Sequence, residues 1–245
     1  MNTSTPAIPA PPWTIPHPDC YQFWFADTGF FVFDLRGERD YRNGRVVSDH
    51  QWKQFDEFLR EASHRDVKTI FVVTSVPLVH FSPALVRMVD WIPARHGENA
   101  RDRWDARDVQ EERDRLEHRL FEWQAAGTRR QSIVISGDVH SGAAFTVTHK
   151  NGPGRFHQWT SSALTSPGGP VHAMGSTVGT RLVNVGEDDS HAERKGLLGS
   201  NNFGLVRVRP LDEGGHLITF RAFPYRARFH RLGHARKAIA VPPEA

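Results

Sequence analysis

Residues 131–145 read QSIVISGDVHSGAAF. Ile133, Val134 and Ile135 form a β-branched run that favours a buried strand, and the run stops at Ser136 and Gly137. Asp138 and His140 follow, and Gly142 relaxes the backbone again. A carboxylate and an imidazole therefore fall on the loop just past the carboxyl end of a strand, where open α/β sheets place their chemistry. Aspartate oxygen and histidine nitrogen both suit zinc, iron or manganese. The i, i+2 spacing points both to one side if the loop stays extended. Gly-Asp after a strand is equally an ordinary turn, and a neighbouring histidine is often only hydrogen-bonded. Taken alone, these residues leave both readings open.

Working outward, residues 69–76 form a second, near-continuous β-branched run, the pattern of a strand buried on both faces. Pro77 ends it. Further upstream, 21–26 and 30–35 read as a strand pair with a turn at Asp27-Thr28-Gly29. Between the upstream strands and 69–76, the spacing predicts a helix over 49–63. Ser48 is its N-cap, Gln51 completes a capping box, and Trp52, Phe55, Phe58, Leu59 and Ala62 form its apolar stripe. Ser82 and Pro83 open a short helix over 82–92. A longer helix over 108–125 turns Val109, Leu116, Leu120 and Trp123 inward, with its charges on a solvated face laced by i, i+4 pairs. After residue 140 the texture changes to strands at 143–149, 155–161, 203–209 and 216–223. Asn151-Gly152 is a hairpin turn between the first two. Residues 165–200 read as a long Gly/Ser-rich connection, a length that is usually functional or mobile. The expected architecture is α/β, with layered sheet and helices followed by antiparallel C-terminal strands.

Composition bounds the function. The 245 residues include 16 Phe and 7 Trp, enough for a bulky core. Mean hydropathy is −0.51, too apolar a mix for general disorder. No apolar run approaches the ~18 residues of a membrane-spanning helix. No basic segment followed by an apolar stretch opens the chain, so the expected location is cytoplasmic, or exported if a leader precedes residue 1. Residues 1–19 hold six prolines and read as a disordered tail. Residues 231–245 read as a flexible basic one. Cys20 is the single cysteine, so no internal disulfide forms. The net charge of +3 and pI near 9.3 suit phosphate-bearing ligands. No nucleic-acid-binding signature is present, which ranks nucleic acid last among partners.

ISGDVHSG resembles a signature of the PhoD-like phosphatases (alkaline phosphatase D), a branch of the metallophosphoesterases. Other pieces match in the same order. FFVFDLRGERD (30–40) is similar to a strand ending in Asp-Thr-Arg, here Asp-Leu-Arg. IFVVTSVPLV (70–79) is similar to a core strand ending in Ser-Val-Pro. DRWDARDVQEERDRL (102–116), QWTSSALTSP (158–167) and NNFGLVRV (201–208) resemble later segments. The likeness spans about residues 20–230.

The resemblance implies an incomplete metallophosphoesterase-like sandwich. The family's early ligand segments, a Gly-Asp-x-x-Tyr and a Trp-Asp-Asp-His-like stretch, have no match here. The chain therefore looks like the C-terminal part of the domain. By resemblance, Asp138 and His140 are metal ligands and catalytic residues, and the metals are divalent or trivalent ions (Fe, Ca, Zn or Mn). Substrates are small phosphate esters, hydrolysed through a metal-bound hydroxide. Two ligands cannot hold the two cations of such a centre, so weak or absent hydrolysis is expected. The alternatives are a non-catalytic binder of phosphoryl ligands and one half of a split enzyme completed by another chain. Self-association is a further expectation, because the missing half would leave a sheet edge bare.

Four further positions were candidates. Arg36 could bind phosphate oxygens in bidentate fashion, or pair with Asp34 to close the turn after its strand. His80, just past the strand at 69–76, reads as a surface-loop residue. Ser161 and Ser162 have no visible base partner and read as hydrogen-bonding structure beneath the Asp138 loop.

Overall fold

Aromatic residues decide how the first strands pair. β1 (Tyr21–Phe25) and β2 (Thr28–Val32) form an antiparallel pair whose turn is Ala26-Asp27, with Ala26 left-handed at φ +52°. The sequence places this turn at 27–29. Thr28 and Gly29 instead join the ladder opposite Phe25 and Trp24. Gly29 serves the strand, because a Cβ there would lie 2.5 Å from the Trp24 ring. The structure, a computed structural model, describes residues 20–40, 44–79, 104, 109–137, 141–162, 190–226, 231–232 and 238–241.

After β2 come α1 (Asp49–His64), β3 (Thr69–Val73), α2 (Gln110–Ala125) and β4 (Gln131–Ser136). β5 (Gly142–His149), β6 (Arg155–Thr160) and β7 (Ser190–Leu198) complete a seven-stranded mixed sheet in the order β1-β2-β3-β4-β6-β5-β7. β2, β3, β4 and β6 run parallel, while β1, β5 and β7 are antiparallel to their neighbours. β8 (Asn202–Pro210), β9 (His216–Arg226), β10 (Arg231–Leu232) and β11 (Ala238–Val241) form a second, antiparallel sheet in which β8 and β11 flank β9. The fold class is thus α/β with antiparallel C-terminal strands, as the sequence predicts.

Several boundaries differ. β7 lies inside the stretch read as a long connection, and β10 and β11 lie inside the expected tail. The predicted strands at 30–35 and 69–76 end at Val32 and Val73, because Pro77 and the Asp34 turn carry the chain out of the ladder. The expected helix at 82–92 lies outside the described residues.

Alternation along the strands sorts the core into two clusters. On one face, α1 and α2 cover Phe31, Phe33, Val72, Val134, Phe145, Val147 and Phe156. Phe31 meets Phe55 and Phe58 at ring-centroid distances of 5.1 and 5.5 Å, and Phe33 meets Trp52 at 5.8 Å. Pairs of this kind add about 0.5–1.5 kcal/mol each beyond area burial. On the other face, Phe71, Ile133, Ala144 and Trp159 pack against Ile218 and Phe220 of the second sheet. Helices, mixed sheet and antiparallel sheet therefore make three layers.

Ser48 caps α1 through a bond from Gln51 N, as predicted. The reciprocal half of the box is missing, because the Gln51 side chain is engaged elsewhere. The charges of α2 are also not all solvated. Arg113 and Glu117 are buried 4.0 Å apart, and Arg113 also pairs with Asp114 at 3.0 Å.

Candidate functional site at the carboxyl edge of the sheet

The four parallel strands end at one edge, and their ladder runs one residue past each end. Phe33 N donates to Val73 O (3.0 Å), Thr74 N to Ile135 O (2.9 Å) and Ser161 N to Ser136 O (3.0 Å). Every loop that follows therefore starts from a fixed backbone.

After β2, the Asp34 carboxylate accepts hydrogen bonds from the backbone N–H groups of Arg36 (2.9 Å) and Gly37 (2.8 Å). This is an Asx turn. The carboxylate thus closes the turn through backbone amides. Buried Gln51 clamps the same residue. Its Oε1 accepts from Asp34 N (3.0 Å) and its Nε2 donates to Asp34 O (2.9 Å). Arg36 is exposed on this turn, two strands or about 10 Å from the exit of β4.

After β3, Thr74 Oγ1 donates to Val76 O (2.8 Å). Gln158 of β6 then grips Val79, accepting from its N–H (2.8 Å) and donating to its carbonyl (2.6 Å). The chain is pinned up to the residue before His80, which itself lies outside the described residues.

The exit of β4 is the centre of the edge. Ser136 Oγ and Thr160 Oγ1 share a buried bond of 2.9 Å. Gly137 lies between the exits of β3 and β6, where a Cβ would stand 3.5 Å from Ser161 O and 3.8 Å from Ser75 O. Asp138 and His140 lie outside the described residues, so only the two roots of their loop are seen. On the far root, Ser141 is fully buried and its Oγ has no hydrogen-bond partner among the described residues. Gly142 abuts Asn202, whose Oδ1 would be 2.9 Å from a Cβ at that position.

Buried Asn202 ties the platform together. Its Oδ1 accepts from Ser161 Oγ (3.0 Å), and its Nδ2 donates to Ser162 O (3.3 Å) and Ser200 O (2.7 Å). Thr160, Ser161 and Asn202 thus form a hydrogen-bonded floor under both roots of the loop, and Ser161 Oγ is engaged there as a donor. Ser141 hides in the motif itself and is flagged only by its unpaired hydroxyl. Asn202 has little local signal, since apart from Ser200 its partners lie 40 and 41 residues away.

Among the described residues, no group of three or more His, Cys, Asp or Glu could hold a metal ion. No described helix is long and apolar enough to cross a membrane.

No protein-family model and no curated protein matches this chain. Among solved structures, it is similar to a purple acid phosphatase isolated from yellow lupin (Lupinus luteus) seeds. The identity is 9%, the TM-score 0.46, and the match covers 91% of this chain and 32% of that one. The chain thus spans about a third of that protein's length.

Proposed function

We propose that the carboxyl edge of the sheet is a phosphoester site of the metallophosphoesterase kind. Asp138 and His140 are its metal ligands and catalytic residues, and Arg36 is its phosphate contact. The observation that carries this reading is the rooting of the Gly137–Ser141 loop. It leaves a central parallel strand between two other strand exits, the position where α/β sheets bind ligands.

The donor set limits the chemistry. Ser136, Thr160, Ser161 and Asn202 line the roots of the loop with hydroxyl and amide groups, poor competitors for a hard or borderline cation. The Asp34 carboxylate holds its turn by accepting two backbone amides at Oδ1. With Asp138 and His140 as its ligands, a metal ion would rest on one carboxylate and one imidazole, a pair that does not by itself complete a two-metal centre. No hydrolytic step is therefore routed through such a centre. What remains is phosphoryl binding, for which the Ser141 hydroxyl is an uncommitted donor, with hydrolysis weak or absent. The same donor set favours a second reading, a non-catalytic binder of phosphoryl ligands.

Metal content after dialysis against chelator, measured beside hydrolysis of p-nitrophenyl and bis-p-nitrophenyl phosphate, tests both readings. The expected result is less than one retained equivalent and slow turnover that Asp138→Ala and His140→Ala each abolish. Turnover unchanged in both variants would overturn the site assignment. Two retained equivalents would overturn the incomplete centre. Phosphate binding without turnover would select the second reading.

A further inference from the structure

Charge is not spread evenly along this chain. Residues 202–241 carry eight Lys or Arg against two acidic residues, Asp212 and Glu213. Subtracting these from the chain's 31 basic and 28 acidic residues leaves 23 against 26. The whole positive excess therefore belongs to the segment that builds the second sheet, and such asymmetry is the footprint of an anionic polymer.

The register shows where part of that charge points. Gly204, Val206, Val208, Ile218, Phe220 and Ala222 face the mixed sheet. The alternate residues face outward. Phe203 stands opposite Phe223, Leu205 opposite Arg221, Arg207 opposite Thr219, and Arg209 opposite Leu217. Arg207, Arg209 and Arg221 are exposed, and Leu205 is 44% exposed. None of the three arginines has a carboxylate partner among the described residues, in contrast to Arg65 and Arg119 on the helical layer, which pair with Glu61 and Asp56. Phe203 and Phe223 stack at one end of the face, 4.9 Å apart and 12° from parallel.

We infer that the outer face of the second sheet binds single-stranded nucleic acid. Unpaired guanidinium groups beside planar rings on an open sheet supply the two elements such ligands need, cations for the phosphates and π-faces for the bases. From Phe203 to Arg209 the face runs about 20 Å, on the scale of the smallest footprints of sheet-built single-strand binders, about four nucleotides. A small anion would need the arginines but not the ring pair. Duplex DNA would offer no bases to stack. This face lies across the molecule from α1 and α2, and its reading does not depend on the phosphoester site.

The test is fluorescence anisotropy of the full chain with a labelled 12-nucleotide mixed-sequence DNA strand, the matching RNA, the DNA duplex and heparin, each at 50 and 200 mM salt. Saturable binding of a single strand is expected to weaken with salt, with a log–log slope of about −2 if three phosphates are neutralised. The triple variant Arg207→Gln/Arg209→Gln/Arg221→Gln should lose at least tenfold in affinity and flatten that slope. Phe203→Leu/Phe223→Leu should weaken the single strand severalfold and leave both the slope and heparin binding unchanged. DNA or RNA binding more tightly identifies which strand is preferred. Circular dichroism of each variant confirms that the outward substitutions leave the fold intact. Three results would overturn the inference: no saturable binding, a triple variant that binds as the parent does, or an aromatic variant indistinguishable from the parent. The last would mean a generic polyanion surface.

Discussion

His157 gives the structure an acid-sensitive point that can be worked through in numbers. It lies on β6, 9% exposed, with Nδ1 3.2 Å from Thr146 Oγ1 on β5. Burial, reinforced by the nearby Arg155 and Lys195 cations, lowers its pKa from 6.5 to about 4. The remaining charge on that row is Glu193, opposite Thr146 on β7 and ion-paired to Lys195. Because the folded value is depressed, the unfolded chain binds a proton at this residue between about pH 6.5 and 4 while the folded chain does not. Stability is therefore intact above that window and falls as pH drops through it. The full effect is about 3 kcal/mol below pH 4, and about 2 kcal/mol is lost between pH 7 and pH 5. For a chain of this size that corresponds to roughly 5 °C in Tm. His157→Gln removes the titration and keeps a partner for Thr146. Thermal unfolding of both proteins at pH 7 and pH 5 should show the parent losing roughly 5 °C more than the variant, whatever the variant's own offset. Equal losses would refute the assignment of the acid sensitivity to His157.

Asn202→Ala removes three hydrogen bonds from the floor beneath the Gly137–Ser141 loop. Urea unfolding should show a loss of roughly 2–3 kcal/mol; a change under about 0.5 kcal/mol would mean that water replaces the amide without cost. Among the described residues β1 is an outer, uncharged strand of the mixed sheet, and Tyr21, Phe23 and Phe25 are 57%, 45% and 76% exposed. An antiparallel copy centred on Phe23 would set Tyr21 against Phe25 and Gln22 against Trp24. It would bring Glu61, bonded to Gln22, beside the Arg65 that stacks on the other copy's Trp24. Light scattering should find self-association that Phe23→Lys abolishes, since an edge lysine guards against strand pairing; a parent that is monomeric at all concentrations would refute it.

The elements that could be read in the sequence are those whose signal is local. Ser48 and the stripe from Trp52 to Ala62 define α1 within one residue, because cap and period lie in one window. The runs at 69–73 and 131–136 announce strands because both faces are buried. β7 carries no such local signal. SHAERKGLL carries four charged or titratable side chains, and its strand state comes from pairing with β5 rather than from its own propensity. Those same charges suit a sheet edge, and among the described residues β7 is the outer strand opposite β1. Gln51 shows how a local rule yields to a distant partner. The capping box predicts its side chain at the Ser48 amide, but it instead bonds both the Asp34 N–H and the Asp34 carbonyl at the sheet edge.

The candidate site divides in the same way. The Gly-Asp-Val-His motif and the strand leading into it are contiguous, so the sequence finds them. The floor that fixes the loop is assembled from β4, β6 and β8, and no window shorter than about 65 residues contains Ser136 to Asn202. A hydroxyl such as Ser161, which in sequence could be a nucleophile, becomes a structural donor only once Asn202 is beside it. The separation also explains why both proposed binding surfaces can coexist in one chain. The carboxyl edge is positioned by the inward residues of β8, while its outward residues are free to carry Arg207 and Arg209. One strand thus supports the loop with Asn202 and presents cations to solvent on its opposite face. A substitution on either face should therefore leave the other surface's ligand unaffected.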